Sequence, residues 1–398
     1  MMTESRRRSQ AHFDWPLLLA VYVLALFGLY CITAATYEPD ISANAPLLNK
    51  ILNTRSGLWQ SIFILVSPIV VAVVMAFPTE FIRARTDLAY FGILGLLLFT
   101  LVAGIAVSNL RGWLNAGTRN IQPSEFAKLS TLLMLARNLS RPEKPMGKFK
   151  DFFRTMMIVG VPVLAILAQG ETGTVIVIAF MFLVMIFFAG VDLKLLLAML
   201  SVGAIAIGIV LAYGLMSDDP DYRIVRILAF LDPQKYAQDA SYQILYSQKT
   251  IGAGQLTGVG AFMDNSFTTL KYVPESSTDF IFTVIGECFG FVGCAAVLVL
   301  YLFIVLRMLY LARFTNDKFG QLVIIGVMAM FFFHLFQNVA MCLGIMPITG
   351  IPLPFLSYGG SNFISNIAAV ALVLNVTRSR SAATMLTMPL PKMKMNKK

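Results

Sequence analysis

An all-α, polytopic integral membrane protein with about ten transmembrane helices is the fold class the sequence predicts, and three observations carry it. Hydrophobic residues make up 58% of the 398 and charged residues only 13%, against about a quarter charged in a soluble globule. The apolar residues gather into runs near the ~20 residues a bilayer demands. The basic residues gather between alternate runs, as loops kept on the cytoplasmic side do. The net charge of +10 is spread over those loops, which excludes the single basic face of a nucleic-acid-binding protein. Cys31, Cys288, Cys294 and Cys342 sit in apolar runs without metal-ligand spacing, and the only histidines are His12 and His334. Neither a disulfide framework nor a cysteine or histidine metal site is predicted.

The first run, Trp15 to Thr33, follows Arg6, Arg7 and Arg8; it is long enough to span and lacks the small-residue pattern of a cleavable signal. Runs from Leu58 to Phe77, Leu88 to Val107 and Pro123 to Leu139 come next. Two short runs, Thr155 to Ala168 and Thr172 to Ala189, are split only by Gln169 to Glu171. Leu193 to Leu215, Asp279 to Leu311, Phe319 to Leu343 and Ser361 to Val376 complete the ten. Residues 1–14 then form a cytoplasmic tail, 15–377 the membrane domain and 378–398 a basic cytoplasmic tail. The inward loops collect Arg83 and Arg85, the cluster Arg137, Arg141, Lys144, Lys148, Lys150 and Arg154, then Lys194, Arg307, Arg313 and Lys318.

Three segments face outward: Ser108 to Gln122, the long loop 217–278 between the seventh and eighth helices, and 344–360. Tyr222 to Leu231 alternates basic and apolar residues as an interfacial helix does, with Arg223 and Arg226 on one side. Gly252, Gly254, Gly258 and Gly260 lack the preceding strand of a nucleotide loop, so no nucleotide is expected; they read as turns where backbone approaches a neighbour or a ligand. Pro347, Pro352 and Pro354 block helix in 344–360. Such a re-entrant segment sits at membrane depth only if protein covers it or it lines a wet cavity, so it is either a cavity wall or a rigid connector.

The charges inside the runs are the candidate chemistry. Gln122-Pro123-Ser124-Glu125 opens the fourth helix with proline in its first turn. Glu125 and Lys128 follow three apart on one face; each alone costs roughly 2.5–3.5 kcal/mol at mid-membrane, so they pair or line a hydrated cavity. Glu171 lies just after the short outer turn. In KYVPESSTDFIFTVIGE, Lys271 to Glu287, polar turn residues pass directly into an apolar helix with Asp279 at the junction. Ser276 and Asp279 have the spacing of a helix start, where an acid is favoured by the dipole without any chemistry. The alternative is a functional carboxylate whose protonation is set by its burial. Glu287 follows two turns later on the same side of the predicted helix.

At these residues the chain resembles the shape, elongation, division and sporulation (SEDS) family, polytopic peptidoglycan polymerases that include RodA and FtsW. The matching residues are Trp113, the run QPSEFAKL at Gln122 to Leu129, Arg226 ahead of Phe230 and Pro233, YVPE and TDFIF between Tyr272 and Phe282, and GIMPITGIPLPFLSYGGSN at Gly344 to Asn362. The wording of the last resembles the rod-elongation branch. The resemblance implies polymerisation of lipid II, a disaccharide-pentapeptide on undecaprenyl pyrophosphate, into β-linked glycan at the outer face of a bacterial plasma membrane. It implies a class B penicillin-binding protein, a transpeptidase, as partner, with other elongasome or divisome membrane proteins. The essential carboxylate of TDFIF falls on Asp279, which the chemistry makes the general base, with Lys128 its orienting or charge-tuning partner and Glu125 in support. The diphosphate falls to Arg223, Arg226 or a divalent cation, magnesium or manganese; Trp113, Glu275, Pro352 and Ser357 of the matched motifs are the further substrate-binding candidates. A lipid II flippase is the alternative, but a transporter places its polar site near the midplane, and here the charges cluster in the outer half. The chain departs from the family at Glu171, usually aspartate, at Gly112, usually arginine, with Arg111 one position away, and at Ser277, Cys288 and Gln255.

Overall fold

A computed structural model of the chain describes residues 13–38, 45–107, 110–116, 119–216, 222–231 and 240–386. In chain order the elements are α1 (Trp15–Ala35), α2 (Leu47–Asn53), α3 (Arg55–Ala76), α4 (Thr79–Ala84), α5 (Thr86–Ala103), the strands β1 (Ile105–Val107), β2 (Leu110–Ala116) and β3 (Arg119–Ile121), and α6 (Pro123–Ser140). They continue with α7 (Phe149–Ala168), α8 (Thr172–Ala189), α9 (Leu193–Met216), α10 (Tyr222–Leu231), α11 (Ala240–Ala253), α12 (Ile281–Arg313), α13 (Lys318–Cys342) and α14 (Gly360–Leu386).

Among the described residues, nine helices are long and apolar enough to cross a membrane, and they coincide with nine of the ten predicted runs. The tenth, α6, has the 18 residues of α5 but carries Glu125, Lys128 and Arg137. It is kept at that depth by being enclosed: Glu125 is 3% and Lys128 1% exposed. The centre of the bundle is α13, which packs against α6, α8, α12 and α14. Local chemistry sets the helix ends. Asp14 accepts from the Leu17 amide to cap α1, Asp317 does the same for Gly320 at α13, and Gly190, at φ 87°, closes α8. Asp14 also receives three bonds from the Arg307 guanidinium, tying α1 to α12.

Three features depart from the sequence reading. The segment Ser108 to Gln122, predicted only as an outer loop, contains β2 and β3, which with β1, the end of the predicted third run, form an antiparallel sheet in the order β1-β2-β3, with Leu114 opposite Ile121 and Ala116 opposite Arg119. The interfacial helix Tyr222–Leu231 is present as α10, but the outer loop 217–278 also holds α11, which packs on α12. The eighth span does not begin at Asp279: α12 starts at Ile281 behind Phe280, with no side-chain cap.

The glycines of 252–260 find their reason in a break of α12 at Gly290 (φ 62°, ψ −160°). A break there orphans the Glu287 and Cys288 carbonyls and the Phe291 and Val292 amides, which an unbroken helix would pair with one another. The incoming segment replaces all four bonds: Val259 and Gly260 donate to Glu287 and Cys288, and Phe291 and Val292 donate to Gln255 and Leu256. Such contact needs bare backbone. A Cβ on Gly254 would sit 1.8 Å from the Gly286 carbonyl oxygen, and one on Gly258 2.2 Å from that of Cys288. The expectation of close approach to a neighbour therefore holds for Gly254 and Gly258, whereas Gly252 lies inside α11.

Candidate active site

Asp279 occupies the last turn of the outer segment before α12 and is partly buried. Its placement is a backbone matter. Asn338 of α13 donates from Nδ2 to the carbonyls of both Asp279 and Ile351, each at 2.7 Å. Ser357 donates to the Thr278 carbonyl (2.6 Å) while accepting from the Leu353 amide (2.7 Å), and the Tyr358 amide donates to Ser277 (2.8 Å). The proline-rich segment is thus stitched to the strand carrying the carboxylate. Gly350, at φ 66°, faces it: a Cβ there would lie 3.3 Å from Asp279 Oδ2. This arrangement packs the segment 344–360 against the turn that carries Asp279.

The helix-start explanation of Asp279 fails here, because the residue precedes the cap and no acid occupies the first turn of α12. Among the described residues no hydrogen-bond donor reaches its carboxylate. Burial pushes its pKa up to about 7, with the Glu275 charge adding to the rise and Arg226 opposing it. A carboxylate poised near neutrality is a serviceable general base.

Glu125 and Lys128 pair as predicted, at 3.0 Å, and Glu125 also accepts from Asn362 and Ser365 at 3.2 Å. The expectation that Lys128 orients Asp279 is not met. Its amine goes to Glu125 and to His334 Nε2 (3.2 Å), while His334 Nδ1 meets the Pro352 carbonyl at 2.8 Å. A carbonyl only accepts, so Nδ1 carries the proton and Nε2 accepts from Lys128. The lysine therefore reaches the segment 344–360 through His334, one helical turn from Asn338. Sequence reading missed both residues, although polar side chains inside an apolar span are the available signal.

Glu287 is not a second base. It accepts the Phe267 and Thr268 amides (2.7 and 2.8 Å) and the Thr268 hydroxyl, holding the outer loop onto α12. Ser357 is 1% exposed with its hydroxyl committed to backbone, so it positions the site and is not free to bind substrate. Glu275, exposed and at φ 55°, lines an outer cavity of about 510 Å³ together with Arg55, Lys271, Ser276 and Ser277; neither Arg55 nor Lys271 was singled out by sequence. Arg226 lies in α10 within electrostatic reach of Asp279. The Arg223 side chain, the Arg111 side chain and Pro233 lie outside what the structure describes. Trp113 is partly buried on β2, beside Gly112, which abuts Glu171: a Cβ on Gly112 would lie 2.0 Å from Glu171 Oε1. The two departures from the family pattern are therefore one steric arrangement, the longer acid filling space that only glycine leaves. Burial holds the Glu171 pKa above its usual value, against hydrogen bonds from Ser124 and Gln122.

Among the described residues no group of three or more histidine, cysteine, aspartate and glutamate side chains is gathered to hold a metal. The two carboxylates that influence one another at the site are Asp279 and Glu275.

Fold and site together define a multi-pass helical membrane protein whose candidate chemistry lies where the proline-rich segment 344–360 meets the bundle. The FtsW/RodA/SpoVE cell cycle protein family matches residues 16–382, and the chain belongs to that family. It is 31% identical to the peptidoglycan glycosyltransferase MrdB of Escherichia coli, over 93% of this chain and 95% of that one, and 29% identical to the peptidoglycan glycosyltransferase RodA of Treponema pallidum, over 93% and 99%. Among solved structures it is similar to the rod shape determining protein RodA of Thermus thermophilus (TM-score 0.67, 25% identity, 92% of this chain and 97% of that one). It is also similar to a chain from a study of polymerization and crosslinking by a peptidoglycan synthase complex (TM-score 0.74, 26% identity, 92% and 98%).

Proposed function

We propose that this chain is a peptidoglycan glycosyltransferase that joins lipid II units at the outer face of a bacterial plasma membrane, with Asp279 as its general base. The observation that carries the reading is a half-buried carboxylate with a pKa near 7, two residues along the chain from Ser277 of the cavity lining, in a chain related over more than nine-tenths of its length to proteins named for this activity. The acceptor sugar hydroxyl gives its proton to Asp279 as its oxygen bonds to the donor's anomeric carbon. The bond from that carbon to the pyrophosphate breaks, and its electron pair leaves with undecaprenyl pyrophosphate. The pyrophosphate is already a stable anion, so it needs cationic stabilisation and no proton. Arg226, whose charge reaches Asp279, is the residue we assign to that role, and Arg55 and Lys271 add positive charge at the cavity. Single displacement inverts the anomeric centre to a β-linked strand.

A divalent cation fits in one form. Magnesium is commonly held by one or two carboxylates with substrate phosphates completing its shell, and Glu275 is the residue that would supply one, leaving Asp279 to take the proton. The cation would add charge neutralisation at the diphosphate. The partner that follows from the peptidoglycan synthase complex is a crosslinking enzyme, a class B penicillin-binding protein.

The test is polymer formation from labelled lipid II by the purified protein with its transpeptidase, comparing wild type with Asp279→Asn. Glycan from wild type and none from the folded variant supports the assignment. Equal polymer from both removes Asp279 as the base, and lipid II crossing vesicle membranes without polymer replaces the enzyme with a flippase.

A further inference from the structure

At the end of the bundle away from Asp279, a second cavity of about 220 Å³ opens between the end of α6 and the start of α7, lined by Asn138, Arg141, Met146, Asp151 and Arg154 among others. Thirteen residues of α6 separate Glu125 from Asn138, about 20 Å along the helix. The chain from 141 to 154 carries five basic residues, Arg141, Lys144, Lys148, Lys150 and Arg154, against Glu143 and Asp151, the balance of a cytoplasmic loop.

The arginines here divide into two kinds. Arg137 is satisfied by Asp87 at 2.6 Å and Arg83 by Asp317 at 3.5 Å. Arg141 and Arg154 make no ion pair or hydrogen bond among the described residues, although Asp151 lines the same cavity. Partial burial first, then the Arg137 and Arg154 charges, hold the Arg141 pKa below its ordinary value against the opposing Asp87 charge, so positive charge outweighs negative here. Asn138 and Thr155, the neutral polar groups in the lining, bond to each other, Asn138 Nδ2 donating to Thr155 Oγ1 at 2.8 Å.

The surroundings say what kind of anion fits. The cavity is smaller than the ~300–1,000 Å³ of a typical small-molecule site, so it takes a compact group. Beside it α7 presents Phe149, Phe153 and Met157, 82%, 53% and 44% exposed, at four-residue spacing on one stripe. Lys150 and Arg154 flank that stripe. An apolar strip descending from a pair of unpaired guanidiniums is the pattern that receives a lipid, acyl chains along the strip and phosphate at the arginines. We propose that Arg141 and Arg154 form a binding site for the phosphate headgroup of an anionic phospholipid in the cytoplasmic leaflet, separate from the polymerisation site.

The experiment uses the full-length protein in nanodiscs, either of phosphatidylcholine alone or of equal parts phosphatidylcholine and phosphatidylglycerol, with lipid retention on detergent release read by native mass spectrometry. Wild type is expected to retain phosphatidylglycerol preferentially. The Arg141→Gln/Arg154→Gln variant is expected to lose that preference by roughly 25-fold, about five-fold per arginine, the scale of one basic group at a membrane surface. Equal retention by both overturns the proposal. Melting in phosphatidylcholine alone checks that the variant is folded, and Arg141→Lys/Arg154→Lys, which keeps charge but loses the paired guanidinium geometry, gives an intermediate value if the site is real. Stabilisation by inorganic phosphate matching that by phosphatidylglycerol overturns the lipid assignment in favour of a soluble phosphate.

Discussion

The Glu125–Lys128 pair separates two uses of a buried charge, structural support and direct action on substrate, and Lys128→Met tells them apart. Two unit charges 3.0 Å apart attract by about 5 kcal/mol at an effective dielectric constant near 20. Removing one partner of such a pair typically costs about 3–5 kcal/mol, because the survivor stays buried and uncompensated. Here Glu125 keeps two donors, Asn362 and Ser365, which places the expected loss toward the lower end, about 3 kcal/mol. The double variant Glu125→Gln/Lys128→Met removes both charges while leaving an amide for the same two donors, and recovers to within about 1–2 kcal/mol of wild type. The assay is unfolding by sodium dodecyl sulfate in mixed micelles, with polymer formation measured on the same preparations. Because Lys128 touches Glu125 and His334 and not Asp279, activity should return with stability. A single variant within 1 kcal/mol of wild type would refute the energetics, and a double variant that is stable yet inactive would give Lys128 a direct role in the chemistry.

Four further outcomes follow from the geometry. With the Asp279 pKa near 7, kcat/KM should fall about tenfold per pH unit below that value, where an ordinary aspartate base would hold its rate to about pH 4; Arg226→Gln should move the inflection upward, and a wild-type profile flat from pH 5 to 8 excludes Asp279 as the titrating base. The same shift fixes the sign for stability: between about pH 4 and 7 the folded state holds a proton that the unfolded chain has lost, so stability declines as pH rises through that window and Asp279→Asn flattens the decline, as unfolding titrations at pH 5 and 8 will show. Gly112→Ala should cost at least tenfold in activity by driving a methyl into Glu171, and Gly112→Ala/Glu171→Asp should regain most of it; a purely additive double variant contradicts the packing. Gly254→Ala should destabilise by more than about 3 kcal/mol, since its Cβ meets backbone that cannot yield, and near-wild-type unfolding would show that the splice into α12 does not form.

The spans were legible because hydrophobic length at bilayer scale is a strong signal, and it failed only where the physics is finer. The sequence could not distinguish a helix that begins at Asp279 from one that begins two residues later, yet that offset decides whether the carboxylate is a first-turn acid or a free one. Glu125 and Lys128 declared themselves by spacing. Glu287 looked equivalent to Asp279 by periodicity, but two backbone amides from 267–268, distant in sequence, claim its oxygens. His334 and Asn338 were present as rare polar residues in an apolar run; what they hold is backbone, and backbone acceptors leave no mark in a sequence. The strands at 105–121 are too short and too irregular to show an alternation.

The same scarcity of partners explains why the site is built this way. At the membrane boundary every carbonyl of a proline-broken segment must find a donor, and here α13 supplies donors to Pro352, Pro347 and Ile351 through His334, Gln337 and Asn338, while Asn338 and Ser357 also donate to the Asp279 and Thr278 carbonyls. Those bonds hold the main chain on both sides of Asp279 and leave its side chain alone. A carboxylate solvated by protein donors would sit well below neutrality and be a feeble base; one that meets no donor among the described residues and is partly buried rises toward 7, with the Glu275 charge adding to the rise. Fixing the backbone while leaving the carboxylate without a described donor therefore supplies position and basicity together. The cost is a group pushed toward its neutral form, which the Arg226 charge opposes.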